Sequence, residues 1–459
     1  MPAALNRALY FSLQAAIGSR AGAAYRELMT LERAPRPQID DLAEQRLGAL
    51  LQRAVRSVPY YRDRVNPAAA DDLAAFPVLT KQAIHENFSD LMTPELRAAY
   101  DARRRSPAYS WVAVQTGGST GAPSTVIHDR ALRDHGRAGR AYAQYLCGFP
   151  FGTPYLRLWG SMADIRRSKS SPVQRIIHAL SRETVLNAFM LNAQRMQTYL
   201  GAINGSRCRH MMAYADAAHR LALFAEEAGI AVRPLQTIMS CASTLTDDIR
   251  ETLQRVFGAR IHNKYGSREC TDMACECEAG GLHVLEPTLR LEVADGNGRA
   301  LPAGERGRIL VTLLFSQSFP LIRYDIGDIG TLSDRTCPCG RSFRLLETIE
   351  GRAVEFLRGT DGSYVSPVYV RHVVGVVHNP GCIRRYQLVQ DSTVDFRLRL
   401  EVEPGADRDA LARAEAGLRH DLLAVLGPGA RLQIQHARQL EETAAGKFLY
   451  CMNKTAGRH

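Results

Sequence analysis

Thr116-Gly117-Gly118-Ser119-Thr120-Gly121-Ala122-Pro123 is the stretch on which the reading of this chain turns. Three glycines, three hydroxyl residues and a proline share eight positions. Trp111–Gln115 before it and Ser124–Ile127 after it read as strands, because β-branched and aromatic residues suit a pleated, half-buried surface. A glycine loop between strands lets backbone N–H groups close around an anion, and the hydroxyls add donors to phosphate oxygens. No Gly-Lys-Ser/Thr follows, so this is not a Walker loop. Taken alone, the stretch reads equally well as an ordinary Gly/Ser hairpin turn. The rest of the chain has to decide.

At 459 residues the chain can bury a large core and divide into more than one domain. Its net charge is +11, carried by arginine, since only five lysines occur. The cations are scattered, and Arg103-Arg104-Arg105 and Arg166-Arg167 read as solvated faces. A nucleic-acid partner is therefore not expected, although a basic surface favours anionic ligands. No apolar run reaches the ~20 residues of a membrane span. Leu5 to Met29 has helical spacing but lacks a signal-peptide core and cleavage pattern. These features read as cytoplasmic.

Short apolar runs alternate with helical patterns between residues 106 and 265: Tyr155–Trp159, Pro172–Leu180, Arg209–Ala213, Ala217–Ala228, Leu235–Met239 and Asp247–Phe257. That alternation predicts α/β architecture with parallel strands. Residues 1–65 and 80–100 read as helical, with Leu47, Leu50, Leu51 and Val55 on one face. From 281 to 350, Gly-rich turns separate the strands Arg290–Val293, Arg308–Leu314 and Ile329–Leu332, a β-rich subdomain. A cut near Gly351 leaves a tail with Arg384–Val389, Asp395–Val402, a helix near Arg408–Leu426, and Arg431–His436. The expected organisation is a large α/β domain over 1–350, including the β-rich subdomain, and a small α+β domain over 351–459.

Four elements follow the Gly-rich loop in order. Asn263-Lys264-Tyr265-Gly266-Ser267-Arg268-Glu269 joins an aromatic, a glycine and a carboxylate. Arg323-Tyr324-Asp325-Ile326-Gly327-Asp328 sets an aspartate behind a Gly turn. Gly351-Arg352 comes 23 residues after Asp328, and Ala445-Gly446-Lys447-Phe448 carries one of the five lysines. Each is common by itself. Together, in this order, they resemble the adenylate-forming superfamily of acyl- and aryl-CoA ligases, nearest its phenylacetate-CoA ligase-like branch, which includes members linked to capsule or exopolysaccharide synthesis. The resemblance runs from about Tyr60 to Lys447.

That resemblance implies the adenylate-forming enzyme fold and a role for each matching residue. Thr116, Gly117, Gly118, Ser119, Thr120 and Gly121 would hold the β- and γ-phosphates of ATP. Tyr265, with Gly266 and Ser267 beside it, would lie against the adenine. Glu269 would help hold Mg²⁺. Asp328 would accept hydrogen bonds from the ribose hydroxyls, and Arg352 would contact the ribose or phosphate region. Lys447 would reach the α-phosphate and the substrate carboxylate. Two departures stand out: Ala122 where many relatives carry lysine, and Ala353-Val354 at the hinge where relatives are usually acidic.

Six of the ten cysteines fall between Cys241 and Cys339, which suggests metal binding rather than disulfides. Cys337-Pro338-Cys339-Gly340 pairs two thiols, and Cys277 and His283 form a second pair. Three Cys and one His make the soft tetrahedron zinc prefers, a closed structural site. Cys275 competes with Cys277 as ligand, and plain buried thiols remain the alternative reading. His128, His135, His210 and His219 read as surface or hydrogen-bonded core residues, and His262 as a candidate lining of the acyl pocket.

The expected activity is ATP-dependent conversion of a carboxylic acid, aryl or short, to an acyl-AMP, followed by transfer to coenzyme A. The acid would sit between the Gly-rich loop, Tyr155–Ser161, Tyr214, Ser240–Ser243 and Tyr265. A non-CoA acceptor in polysaccharide or natural-product synthesis is one alternative, and a non-catalytic ATP-binding relative another. The acid, the acceptor and the oligomeric state stay open, a homodimer among the options.

Overall fold

The computed structural model describes residues 2–104, 110–116, 124–160, 176, 179–188, 190–350, 357–365, 367–438, 440 and 449–455. The chain opens with helices α1 (Ala3–Ala16), α2 (Ala21–Leu31), α3 (Arg36–Ser57), α4 (Pro59–Arg62), α5 (Lys81–Glu86) and α6 (Pro94–Asp101). Prolines at the first turn start α3, α4 and α6, where a missing N–H costs nothing. Strands β1 (Val112–Thr116) and β2 (Ser124–His128) pair antiparallel, with Thr116 opposite Ser124. Gly117, Gly118, Ser119, Thr120 and Gly121 lie outside the described residues.

After α7 (Arg130–Leu146) come β3 (Tyr155–Trp159), β4 (Glu183–Asn187), β5 (Met190–Leu191), α8 (Ala193–Gly205), β6 (His210–Tyr214), α9 (Ala215–Glu227), β7 (Thr237–Cys241) and α10 (Asp247–Phe257). Most of the expected segment Pro172–Leu180 lies outside the described residues. Every residue of β6 and β7 is buried. Strands buried along their whole length belong to a parallel sheet covered on both faces. α10 buries Ile249, Leu253 and Phe257 and ends at Gly258, whose φ of 58° is left-handed. A glycine there closes the helix without a Cβ penalty.

The β-rich part holds β8 (Arg260–Ser267), β9 (Thr271–Glu276), β10 (Leu282–Val284), β11 (Leu289–Ala294), β12 (Arg306–Leu313), β13 (Tyr324–Ser333) and β14 (Leu345–Glu350). One 11-stranded sheet runs β11-β12-β13-β14-β10-β9-β8-β7-β6-β3-β4. β8 joins its two halves. Residues 260–263 pair parallel with β7, and residues 264–267 pair antiparallel with β9. The predicted α/β and β-rich regions therefore share one sheet, and Tyr265 sits at the seam.

The tail contains β15 (Leu357–Arg358), β16 (Tyr364–Val365), α11 (Pro367–His372), β17 (Ile383–Gln390), β18 (Asp395–Val402), α12 (Arg408–Leu426), β19 (Arg431–His436) and β20 (Cys451–Asn453). β19-β18-β17-β20 form a four-stranded sheet. Leu418, Leu422 and Leu426 of α12 share a core with Phe396, Leu398 and Leu400 of β18. A link invisible in the sequence crosses the expected cut: β16 pairs with β5, Tyr364 opposite Leu191.

His210, at the start of β6, is buried, and its ring stacks on Phe149 at 5.2 Å. Its Nδ1 has no hydrogen-bond partner among the described residues. Burial drops its pKa from 6.5 to about 4. The unfolded chain therefore takes up this proton near pH 6.5, whereas the folded chain holds out to about 4. Stability from the neutral ring is complete above pH 6.5 and declines as pH falls toward 4. His210→Phe is expected to flatten that part of the decline. Urea midpoints at pH 7 and pH 5 test this, and an unchanged difference between them would refute it.

Candidate functional site

The carboxyl ends of β3, β6 and β7 and the seam of β8 open toward one edge, where doubly covered parallel sheets bind ligands. At the seam the β8–β9 register shifts between Tyr265 and Gly266. A Cβ on Gly266 would lie 2.4 Å from the Thr271 carbonyl oxygen, so only glycine fits. Lys264, just before the shift, is buried and ion-paired with buried Asp272. Arg140 approaches the same carboxylate at 3.6 Å. Burial pushes the Asp272 carboxyl up, but Lys264 and Arg140 outweigh it and hold it below its ordinary value.

The Tyr265 hydroxyl donates to Asp328 Oδ2 at 2.9 Å. Gly327 beside it takes a φ of 85°, which turns the strand so that Asp328 meets Tyr265. Residues 63 apart in sequence thus form one pair.

Glu269 lies in the turn between β8 and β9 and is buried. The Tyr324 hydroxyl donates to its Oε1 at 3.1 Å, and Lys81 Nζ stands 3.7 Å from the same oxygen. His128 Nε2, at the end of β2, donates to the Glu269 carbonyl at 2.9 Å, tying the strand after the Gly-rich loop to this turn. Burial raises the Glu269 carboxyl, but the Lys81 ammonium, the backbone and the Ser267 and Tyr324 hydroxyls together hold it below its usual range. It is an ionised carboxylate at neutral pH. Sequence reading singled out neither Lys81 nor Tyr324 as a partner of Glu269. The segment before α5 runs alongside β13, where Leu79 bridges Tyr324, and Thr80 caps α5, leaving Lys81 at the carboxylate.

The expected acid pocket divides. Trp159 and Tyr214, at the carboxyl ends of β3 and β6, have ring centroids 4.5 Å apart, and the Tyr214 hydroxyl donates to the Gly160 carbonyl at 2.9 Å. The Arg157 guanidinium lies 4.6 Å from the Trp159 ring. Ser240, in β7, is buried, and its hydroxyl has no partner among the described residues. Ser243 Oγ donates to Asp216 at 3.0 Å. Tyr155, in contrast, stands at the opposite end of β3, bonded to Glu183 at 2.9 Å. His262 is buried and donates from Nδ1 to the Glu276 carbonyl at 3.0 Å, a sheet contact rather than a pocket wall. Ser161, Arg352 and Lys447 lie outside the described residues. From the tail, His372 Nδ1 meets Arg268 Nη1 at 3.5 Å, so the small domain touches the rim of the site.

Cys277, His283, Cys337 and Cys339 come together with their ligand atoms all within 4.8 Å of one another. Cys277 and Cys337 sulfurs are 3.6 Å apart, and Cys339 Sγ is 3.2 Å from His283 Nε2. Zinc–thiolate bonds of ~2.3 Å in a tetrahedron separate sulfurs by roughly 3.8 Å, so the donor set fits zinc. His283 Nδ1 donates to the Phe343 carbonyl at 3.0 Å, which aims Nε2 at the thiols. The Arg341 N–H donates to Cys339 Sγ at 3.4 Å, and the Arg341 guanidinium binds Glu32 and Glu278. A Cβ on Gly281 would lie 2.6 Å from Cys337 Sγ. Burial pushes the Cys277 thiol up to about 12. Cys275 goes elsewhere: it is still within β9, 3.6 Å from the Cys147 sulfur, whereas Cys277 lies past the strand end and turns away.

Against known proteins, residues 357–454 match the family model described as the CapK C-terminal domain. Protein CapK of Staphylococcus aureus is 22% identical over 384 residues, covering 82% of this chain and 79% of that protein. A phenylacetate-coenzyme A ligase of Thermus thermophilus is 32% identical over 171 residues, 35% of this chain and 37% of that enzyme. The solved structure of 2-hydroxyisobutyryl-CoA ligase with 2-HIB-AMP and CoA superposes with a TM-score of 0.58 at 19% identity, covering 92% of this chain and 91% of the other. The fold is that of adenylate-forming enzymes, large domain and small C-terminal domain together. In sequence the chain is thus similar to CapK and to phenylacetate-CoA ligases, and in fold to an acyl-CoA ligase.

Proposed function

We propose that this chain is an adenylate-forming ligase that activates a small carboxylic acid as an acyl-AMP at the β8 seam and then passes the acyl group to the thiol of coenzyme A, with AMP leaving. The observation that carries the proposal is the ionised, buried Glu269 beside Lys81, set next to the Tyr265–Asp328 pair. In the first step a carboxylate oxygen attacks the α-phosphorus of ATP and pyrophosphate leaves. The acid is already ionised at neutral pH, so no general base is required. Negative charge concentrates at the reacting centre.

Glu269 fits as the protein ligand of Mg²⁺, which typically binds one or two carboxylates plus substrate phosphates and would offset phosphate charge there. Lys81 would hold the Glu269 carboxylate ionised and add positive charge beside the phosphates. Tyr265 would support the adenine, Asp328 would accept from the ribose hydroxyls, and Arg352 and the Thr116–Gly121 loop would hold the phosphates. Lys447 would bridge the α-phosphate and the acid. Trp159, Tyr214 and the buried Ser240 hydroxyl favour an aryl or short acid. Zinc at Cys277, His283, Cys337 and Cys339 would be structural, since four protein ligands leave no open position.

A second reading transfers the acyl group to a nucleophile other than CoA. The tail, which the second step would use, matches the CapK C-terminal domain, and this favours a distinct acceptor.

The test is pyrophosphate release with ATP and Mg²⁺ across aryl, hydroxy and short aliphatic acids, with and without CoA. Release dependent on one acid supports adenylation, and a CoA requirement for turnover supports the thiol acceptor. No binding of ATP at all would sink the assignment. Asp328→Ala is expected to raise the KM for ATP on the order of 10–100-fold, the value of one hydrogen bond to a charged acceptor at about 1.5–3 kcal/mol. An unchanged KM would remove Asp328 from the nucleotide site.

A further inference from the structure

α1 inverts the usual pattern of a surface helix. Its inward face carries Asn6, Tyr10 and Gln14, all buried. Asn6 Nδ2 donates to the Gly152 carbonyl at 3.2 Å, the Tyr10 ring lies 4.3 Å from Phe151, and Phe11 stacks on Tyr25 at 5.4 Å. A Cβ on Gly152 would come within 2.7 Å of the Ala3 carbonyl oxygen, so glycine lets the helix sit down tightly. These contacts fix one rotation of α1 about its axis. The opposite face shows Ala4, Leu5, Ala8, Leu9, Ser12, Ala15 and Ala16 to solvent, and Ile17 is exposed at the C-cap, past the helix end. Of the six exposed large hydrophobics among the described residues, Leu5 and Leu9 belong to this face and Ile17 to the helix's C-cap, while the other three are scattered. An ordinary surface helix buries its apolar stripe. A contiguous apolar face turned outward marks an interaction site.

Charge indicates what covers it. Residues 2–26 contain Arg7, Arg20 and Arg26 and no acidic side chain. Arg7 lies along Tyr25 at 5.9 Å, and Arg130 reaches the far end of the helix, donating to the Gly18 carbonyl at 3.0 Å. An apolar face on a segment whose only charged side chains are arginines, in a chain of net charge +11, complements a surface that is both apolar and anionic. A second copy would instead bring the same cations against one another. We propose that α1 is an interfacial anchor for an anionic lipid bilayer, its apolar face in the acyl boundary and its arginines among the headgroups. The association is peripheral, because no helix among the described residues is long and apolar enough to cross a membrane. It would place the acyl-transfer site at a membrane surface.

The experiment sediments the full chain with vesicles of phosphatidylcholine alone, or of equal parts phosphatidylcholine and phosphatidylglycerol. Binding to the anionic vesicles only, weakened by salt, is expected. The triple variant Leu5→Ser, Leu9→Ser, Ile17→Ser should lose that binding by about tenfold or more, with its circular dichroism unchanged. Val185→Ser with Val377→Ser, which are exposed elsewhere, should bind like the parent. Failure of the parent to bind anionic vesicles at low salt overturns the proposal. So does undiminished binding by the triple variant, which would assign the effect to diffuse charge. Loss of a dimer in the triple variant without any vesicle binding would assign the face to a second copy instead.

Discussion

Glu269→Gln is expected to cut acid-dependent pyrophosphate release by about 10²–10³-fold, the usual cost of removing one group that answers charge in a transition state. The substitution is isosteric and leaves an acceptor for the Tyr324 hydroxyl, so it deletes little except the charge. It also leaves Lys81, 3.7 Å away with its side chain 14% exposed, facing a neutral amide. Breaking a buried pair from one side costs about 3–5 kcal/mol, and the residual exposure of Lys81 puts this case at the low end. The double variant Glu269→Gln, Lys81→Met should recover stability in urea denaturation and recover no activity. Recovery of both would make the carboxylate a counter-ion for Lys81 and nothing more. The pH dependence carries a sign as well. The folded chain holds the Glu269 carboxyl below its ordinary 4.5, so its contribution to stability is full above that pH and is lost as pH falls through the folded value. The glutamine variant should therefore lose less of its remaining stability on acidification below 4.5.

The second large effect concerns the cysteines and histidine. One zinc ion per chain should co-purify, measured by elemental analysis. Cys277→Ser or Cys339→Ser should lose it and unfold at lower denaturant. A metal held only by the folded chain at ~1,000 times its Kd adds about 4 kcal/mol, which sets the scale of the loss. The site joins the end of β9, β10 and the loop before β14, and Arg341 carries the connection on to Glu32 at the end of α2. Loosening it should therefore be felt by the N-terminal helices. Cys275→Ser is the control, because its sulfur packs on Cys147 and the Ala143 carbonyl. Metal-free protein from zinc-supplied cells would end the zinc assignment, and equal loss with Cys275→Ser would overturn the choice of ligands.

Much of this architecture was already legible in local patterns. Tyr155–Trp159 and Asp247–Phe257 were predicted with the bounds they take, as were Asp395–Val402 and Arg431–His436 in the tail. Period and propensity report the face and state of each segment, and those are properties of neighbours along the chain. Tyr265, Glu269 and Asp328 were named through motifs whose order resembles that of a known family, and the fold brings Tyr265 and Asp328 into one hydrogen bond.

Other relations belong to the tertiary structure alone. Nothing local joins Lys81 to Glu269, 188 positions away, or β5 to β16 across the expected domain cut. Nothing local shows that β8 changes partners midway and so fuses two predicted regions into one sheet. Tyr155 was grouped with Trp159 because both are aromatic and near in sequence, yet a five-residue strand puts its two ends on opposite edges of the sheet. Cys275 and Cys277 are equivalent by spacing and differ because the strand ends between them. Which end of a strand carries chemistry, and which distant side chain meets it there, depends on the order, direction and register in which strands assemble. Those are set by the packing of the whole core, so these residues acquired their partners only when the chain folded.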